Sequence, residues 1–324
     1  MLQRKETHVR ELIGPGVPSG SKARVSERER RLAVRLEKAL LDSIGLSLAY
    51  QPIFDRNQQI AAVEVLARWD DAIEGPISPS EFIPLAEKTG LIVPLCKWVI
   101  REACLQTKRW LDQGFLLGRL AVNFSVVHIW REDFVETIFE ALRESGLPAQ
   151  MLELEVTESA LVLDFEKVKQ HLQMLRRHGV RISIDDFGTG YSSLGRLREL
   201  DADVLKIDKI FVQGADEEIR GAAMVQAIVN IAHSLGLTVV AEGVETVEQR
   251  NLVYQMGCEE IQGYLLAHPM TPEELFILMS KHRNEAHSAG PPLVDTAIFS
   301  LSPRALETQE AQPLAAPLVF FGIA

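Results

Sequence analysis

The run Ile184-Asp185-Asp186-Phe187-Gly188-Thr189-Gly190-Tyr191-Ser192-Ser193 ends an apolar strand pattern in two adjacent carboxylates and a glycine-punctuated polar loop. Two carboxylates side by side raise each other's pKa unless a cation neutralises them. Oxygen donors of this kind suit Mg²⁺ or Mn²⁺ better than zinc. An isolated Asp-Asp pair is more often a solvated turn or a helix cap. Here other strands end in the same way, and that overturns the bland reading.

Successive side chains in a strand point to opposite faces, and this alternation sorts the chain. Glu64, Leu66 and Arg68 share one face, with Val63 and Val65 on the other; Asn123 and Ser125 oppose Val122 and Phe124. Glu153, Glu155 and Thr157 oppose Leu154 and Val156, while Arg181, Ser183 and Asp185 oppose Ile182 and Ile184. Lys206 and Asp208 oppose Leu205 and Ile207, Glu242 opposes Ala241, and Gln262 and Tyr264 oppose Ile261. The apolar parity belongs beneath covering helices, so the polar parity faces a barrel interior. Burying that many charged and amide groups is costly unless they pair or bind ions.

For Glu153 and Arg181 a satisfied core ion pair is explanation enough. Glu64, Asn123, Glu155, Asp185, Asp186, Asp208 and Glu242, with Lys206 and Gln262, converge instead at strand C-termini, where barrel active sites are built. This predicts metal-dependent chemistry on phosphate. The set holds no His or Cys, which disfavours zinc. Its carboxylates and amide suit two octahedral divalent ions about 4 Å apart, with Asp185 bridging, for an in-line phosphoryl displacement by water. Lys206 is a candidate to orient that water, and Arg68 to clamp a phosphate oxygen. His128 and His233 read as surface or helix-packing residues.

The elements that must position these groups alternate along the chain. Strands are expected at Leu48–Phe54, Ala61–Trp69, Leu120–Ser125, Leu152–Thr157, Val180–Asp185, Asp203–Asp208, Leu237–Glu242 and Glu260–Leu265. Helical spacing fills the gaps, and several helices stop at a glycine (Gly90, Gly114, Gly146, Gly236). Eight strands alternating with helices point to an α/β fold of the TIM-like (β/α)₈ barrel type. A doubly wound open sheet would want a glycine-rich phosphate loop after the first strand, and none is present. Residues 1–25 read as a flexible N-terminal tail, 26–282 as the barrel domain opened by an amphipathic helix, and 283–324 as a C-terminal extension ending in the apolar run LVFFGIA.

The net charge of -11 over 324 residues argues against a duplex nucleic-acid surface, which needs clustered Lys and Arg. Cys96, Cys104 and Cys258 form no CxxC pair and suit a reducing compartment. No signal peptide or membrane span is legible, so a cytoplasmic protein is expected.

Taken in order, YQPI (Tyr50–Ile53), EVLARW (Glu64–Trp69), SPSEFIPLAEKTGLI (Ser78–Ile92), NFS (Asn123–Ser125), ELEVTES (Glu153–Ser159), DDFGTGYSSL (Asp185–Leu194), LKID (Leu205–Asp208), AEGVET (Ala241–Thr246) and QGYLLAHP (Gln262–Pro269) resemble the EAL-domain cyclic-di-GMP phosphodiesterases over about residues 30 to 280. The resemblance implies a barrel whose first strand is antiparallel to the rest. It also implies hydrolysis of cyclic di-GMP to linear pGpG with two Mg²⁺ or Mn²⁺ per active site. It matches Glu64, Asn123, Glu155 and Asp185 to one metal, and Asp185 and Asp186 to the side of the second, with Asp208 beside them. Lys206 and Glu242 match residues that handle the nucleophilic water, and Gln262 a glutamine of that water network. Gln51, Leu66 and Arg68 fall at substrate-contacting positions, and Glu245 resembles an anchor for the loop after Asp186. A homodimer is implied as well, while the chain itself reads as a domain that stands alone, is regulated by a protein partner, or is a piece of something longer. Departures are slight: Val65 stands for the signature's middle alanine, Glu259 for a usual Asp, and Leu265–His268 is a loose form of its motif. The alternative is a catalytically silent EAL-like receptor that binds the dinucleotide to regulate a partner; such members are expected to lose metal ligands, and none is lost here.

Overall fold

A strand buried on both faces must find two neighbours for its backbone hydrogen bonds, and eight such strands satisfy this without edges only by closing on themselves. The computed structural model shows that closure. It describes residues 26–115, 117–161, 164–188, 194–215 and 219–288. The expected N-terminal tail, residues 189–193 of the loop after Asp186, and the C-terminal extension from residue 289 with its LVFFGIA end lie outside the described residues.

The strands are β1 (Leu46–Asp55), β2 (Ile60–Asp71), β3 (Gly75–Ile77), β4 (Leu120–Phe124), β5 (Leu152–Thr157), β6 (Arg181–Phe187), β7 (Val204–Ile207), β8 (Thr238–Ala241) and β9 (Glu260–Ile261). Their order is β1-β9-β8-β7-β6-β5-β4-β2, and the ring closes through β1–β2. β1 runs antiparallel to both β2 and β9, while the remaining barrel pairs are parallel. The fold is therefore the expected TIM-like barrel with an antiparallel first strand. β3 was not anticipated; it pairs with the far end of β2 as a short hairpin.

The helices are α1 (Glu27–Asp42), α2 (Pro79–Thr89), α3 (Ile92–Asp112), α4 (Val126–Ile129), α5 (Phe134–Ser145), α6 (Phe165–Arg177), α7 (Leu194–Glu199), α8 (Lys209–Ala215), α9 (Ile219–Ser234), α10 (Val247–Met256) and α11 (Pro272–Ser288). A capping box between Ser26 and Glu29 opens α1. Left-handed glycines at Gly90 and Gly146 close α2 and α5. Among the described residues no helix is long and apolar enough to cross a membrane.

The last strand is shorter than expected, two residues rather than six. Gly263 presses so closely on the next segment that a Cβ there would lie 2.0 Å from the Val244 carbonyl oxygen. The Leu266 and Ala267 amides then turn back to donate to the Gly263 carbonyl, both at 3.1 Å. The chain folds into a turn where the alternating pattern alone predicts continued strand.

The predicted parity orders the barrel. Its outward residues, among them Val122, Leu154, Ile182, Ile184, Leu205, Ile207 and Val239, are fully buried beneath the helices. Inside, stepping two residues down each strand from the polar C-terminal layer reaches Ile53, Ala62, Val204 and Val240, a small apolar cluster of their own. The bottom is closed by ions. Arg119, just before β4, donates to both oxygens of Glu260 (3.1 and 2.7 Å) and to Glu153 (2.7 Å). Arg181 lies 3.6 Å from the same Glu153. Glu153, which was expected to sit in an ion pair, does so, but its principal partner Arg119 was not identified from the sequence. Burial pushes the Glu153 carboxyl up, and Arg119 and Arg181 oppose that rise.

Two predictions follow from buried charge. Arg119→Met strands two buried carboxylates and should cost about 3–5 kcal/mol in urea unfolding. His128 is fully buried beside Phe124 and Phe134, and neither ring nitrogen has a hydrogen-bond partner among the described residues. Burial lowers its pKa from 6.5 to about 4. With a depressed folded value, its contribution is intact above the unfolded pKa and is lost as pH falls through this window. Comparing urea midpoints at pH 7 and pH 5, His128→Phe should lose about 2 kcal/mol less than the natural chain on acidification.

Candidate active site

Glu64 of β2 joins three strands at the C-terminal end of the barrel. One of its oxygens accepts from the Asn123 amide of β4 at 2.6 Å, and the other from the Gln262 amide past β9 at 2.7 Å. With its NH₂ committed to Glu64, Asn123 keeps its carbonyl oxygen as the atom that can meet a cation. Lys206 of β7 is 1% exposed, and its ammonium lies 2.7 Å from Glu155, 2.6 Å from Glu242, 3.5 Å from Asp185 and 3.7 Å from Glu64. Strands β2, β5, β6 and β7, together with Glu242 just beyond β8, thus send charge to one point.

The Asp185–Asp186 pair owes its geometry to a bulge. Ile184 pairs with Leu205 and Phe187 with Ile207, so β6 spends three steps where β7 spends two. Strict alternation would turn the second carboxylate outward. Asp186 instead adopts a left-handed backbone, φ 55°, as bulges commonly do beside active sites. Asp185, Asp186 and Glu242 each bring a carboxylate oxygen within 4.8 Å of the others. Asp186 was expected just past the strand's end; it sits within β6, in the bulge. Asp208, after β7, accepts from the Ile210 amide at 2.7 Å and hydrogen-bonds with Asp186.

The electrostatics of the site follow from crowding. Burial pushes Glu155 well above the ordinary carboxylate range, opposed by Lys206 and reinforced by Glu64 and Asp185. Burial raises Glu242 to about 8, again against Lys206 and with Asp185 and Glu64. Asp186 rises to about 6, through burial first and then Asp185 and Asp208. Six carboxylates thus gather around one ammonium, and the Gln262 carbonyl oxygen is buried without a hydrogen-bond partner in the described structure. The donor set is all oxygen, which fits hard octahedral cations such as Mg²⁺ or Mn²⁺ rather than zinc.

The remaining candidates line the rim. Gln51 of β1 stands opposite Glu64 in register and donates to the Ala267 carbonyl at 3.2 Å. Leu66 and Arg68 continue the Glu64 face and are half-buried; Arg68 donates to the Ala67 carbonyl at 2.9 Å. Glu245 accepts from Gln213 at 3.3 Å. The start of the loop is held by another carboxylate: the Gly188 amide donates to Glu158 at 3.1 Å. Glu158 was not singled out from the sequence, although its place three residues beyond Glu155, past the end of β5, was the available signal. Glu87 of α2 was also missed; it accepts from Ser125, just after β4, at 2.7 Å. His128 and His233 stay outside the site, and His233 pairs with Glu259 at 3.0 Å.

The bulge makes a backbone prediction. Asp186→Gly fits the left-handed conformation freely, whereas Asp186→Val does not. In urea unfolding, Asp186→Val should fall below Asp186→Gly by about 1–2 kcal/mol.

Residues 33–269 match the family model described as EAL domain. The chain is 44% identical over 236 residues to the bifunctional diguanylate cyclase/cyclic di-GMP phosphodiesterase MucR of Pseudomonas aeruginosa, covering 72% of this chain and 34% of that protein. It is 39% identical over 267 residues to the cyclic di-GMP phosphodiesterase NbdA of the same organism, covering 82% of this chain and 34% of that protein. The chain thus spans about a third of the length of the curated relatives it matches. Among solved structures, the PaMucR phosphodiesterase in complex with c-di-GMP superposes with a TM-score of 0.73 at 43% identity, covering 76% of this chain and 99% of that one.

Proposed function

Because the chain belongs to the EAL domain family, we propose that it hydrolyses cyclic di-GMP to linear pGpG. The observation that carries this reading is the set of six carboxylates, an amide and Lys206 held at one end of the barrel, with Asp185, Asp186 and Glu242 oxygens within 4.8 Å of one another. The relatives' names and the c-di-GMP complex support the choice of substrate. Three buried cysteines without disulfides accord with a reducing, cytoplasmic setting. A homodimer and a regulatory protein partner belong to the same proposal.

Glu64, Asn123, Glu155 and Asp185 would hold one divalent cation, and Asp185, Asp186 and Asp208 a second. When bound, two such ions lower the pKa of water and neutralise charge on a phosphodiester. The chain's own residues do the rest. Lys206, fixed between Glu155 and Glu242, holds the attacking water in line with the phosphorus. Glu242, poised by burial against that ammonium, receives its proton. Gln262 fixes Glu64 and keeps a carbonyl oxygen free for the water network. Gln51, Leu66 and Arg68 receive the substrate along the rim, and the Arg68 guanidinium meets a non-bridging phosphate oxygen. As the new P–O bond forms, the bond to the 3′ oxygen breaks, and that oxygen takes up a proton from solvent to leave as the 3′-hydroxyl of pGpG.

Purified protein supplied with Mg²⁺ or Mn²⁺ should convert cyclic di-GMP to pGpG by chromatography. Glu64→Ala and Lys206→Ala should each lower kcat/KM by about a thousandfold or more, since each removes groups that act as one unit. Cyclic di-GMP binding without product would replace the enzyme reading with that of a silent receptor.

A further inference from the structure

One residue of the inward polar parity has no place in the hydrolytic scheme. Ser125 shares the face of Asn123 and lies just past the end of β4. On the side of β2, the ladder pairs Glu64 with Ala121 and Val65 with Val122, and goes no further among the described residues. Beyond that point β2 turns to its hairpin with β3. On the other side β5 still pairs with Asn123 and Phe124. Asn123 is therefore an exposed residue with a strand partner on one side only. Three helices take over where the ladder ends. Glu87 of α2 accepts from the Ser125 hydroxyl at 2.7 Å. The same hydroxyl oxygen accepts from the Val127 amide at 3.2 Å and so caps α4. The Ser125 backbone also hydrogen-bonds to Cys96 of α3. Two residues beyond Asn123, the chain is thus tied to α2, α3 and α4.

The direction of the Asn123 carbonyl oxygen depends on two things. Its amide is committed to Glu64 at 2.6 Å, and its backbone must hold still at the open end of β4. Groups that never touch an ion orient the ligands that do, and removing them weakens the site. A hydrogen bond accepted by a carboxylate is about twice as strong as one between neutral groups, which makes Glu87 the firmest tie on Ser125. We propose that Glu87 is a positioning residue for the cation site. Acting through Ser125, it fixes the end of β4 so that the Asn123 carbonyl oxygen faces the cation assigned to Glu64, Glu155 and Asp185. This assignment rests on the metal-dependent reading above. Glu87 contributes a hydrogen bond to the strand end and no ligand atom.

The test is calorimetric Mn²⁺ binding without substrate, beside kcat, KM and the Mg²⁺ needed for half-maximal pGpG release. Glu87→Ala should raise the Mn²⁺ Kd and the half-activating Mg²⁺ about tenfold, the low end for outer partners of a metal ligand. Its kcat at saturating metal and its KM for cyclic di-GMP should stay within about twofold. Glu87→Gln, whose carbonyl oxygen still accepts from Ser125, should keep the Mn²⁺ Kd within about threefold of the natural chain. Ser125→Ala should weaken Mn²⁺ at least as much as Glu87→Ala. Adding Glu87→Ala to Ser125→Ala should cost less than about twofold more, because the pair acts through one bond. An unchanged Mn²⁺ Kd in Glu87→Ala overturns the assignment. So does a Glu87→Gln as weak as the alanine variant, or a full Glu87→Ala loss when Ser125 is already alanine. A natural chain that binds Mn²⁺ without hydrolysing cyclic di-GMP refutes the reaction, while the Mn²⁺ series still decides the role of Glu87. A natural chain that binds no Mn²⁺ refutes both.

Discussion

The ammonium of Lys206, almost without solvent and within 3.7 Å of four carboxylates, is the interaction on which this barrel's active end depends. Removing an ammonium from water costs several kcal/mol even after relaxation. Opposite charges about 4 Å away return roughly 4 kcal/mol each at the effective dielectric of such a site. Several partners therefore hold the lysine charged, and the lysine in turn lets the carboxylates share one cavity. The balance is incomplete, because one cation faces six acids. Glu155, Glu242 and Asp186 are raised by burial first and by their acidic neighbours second, and divalent cations would oppose both.

The same arithmetic governs the bottom of the barrel, with the opposite outcome. There Arg119 and Arg181 face Glu153 and Glu260, so cations and carboxylates are equal in number. That layer balances in charge by itself, whereas the upper one carries an excess of carboxylates. Between them lie Ile53, Ala62, Val204 and Val240, a thin apolar septum that keeps the two sets of charges apart. A barrel interior is usually packed with branched apolar side chains; here only the middle layer is.

The rim adds what the interior cannot. Arg68, Leu66, Gln51 and the turn at Gly263 surround the carboxylates with hydrogen-bond donors, an apolar side chain and exposed aromatic rings. That turn is tied to β1 and to Val244 by backbone hydrogen bonds.

Much of this was legible in the residues alone. Period-two alternation assigned inward and outward faces on the strands that carry the polar groups, β1 excepted, because a two-residue repeat survives any twist of the sheet. The gathering of Glu64, Asn123, Glu155, Asp185, Lys206, Glu242 and Gln262 at one end followed from it, and the barrel class from eight strands alternating with helices. Three things waited for the tertiary structure. The turn at Gly263 depends on contact with Val244, nearly twenty residues earlier. Arg119 reaches Glu260 from across the barrel, a pairing no local pattern encodes. Asp185 and Asp186 are adjacent in any conformation, but alternation would point them apart. Their shared direction comes from one extra residue in β6 against β7, a register that only the pairing of two distant strands can set.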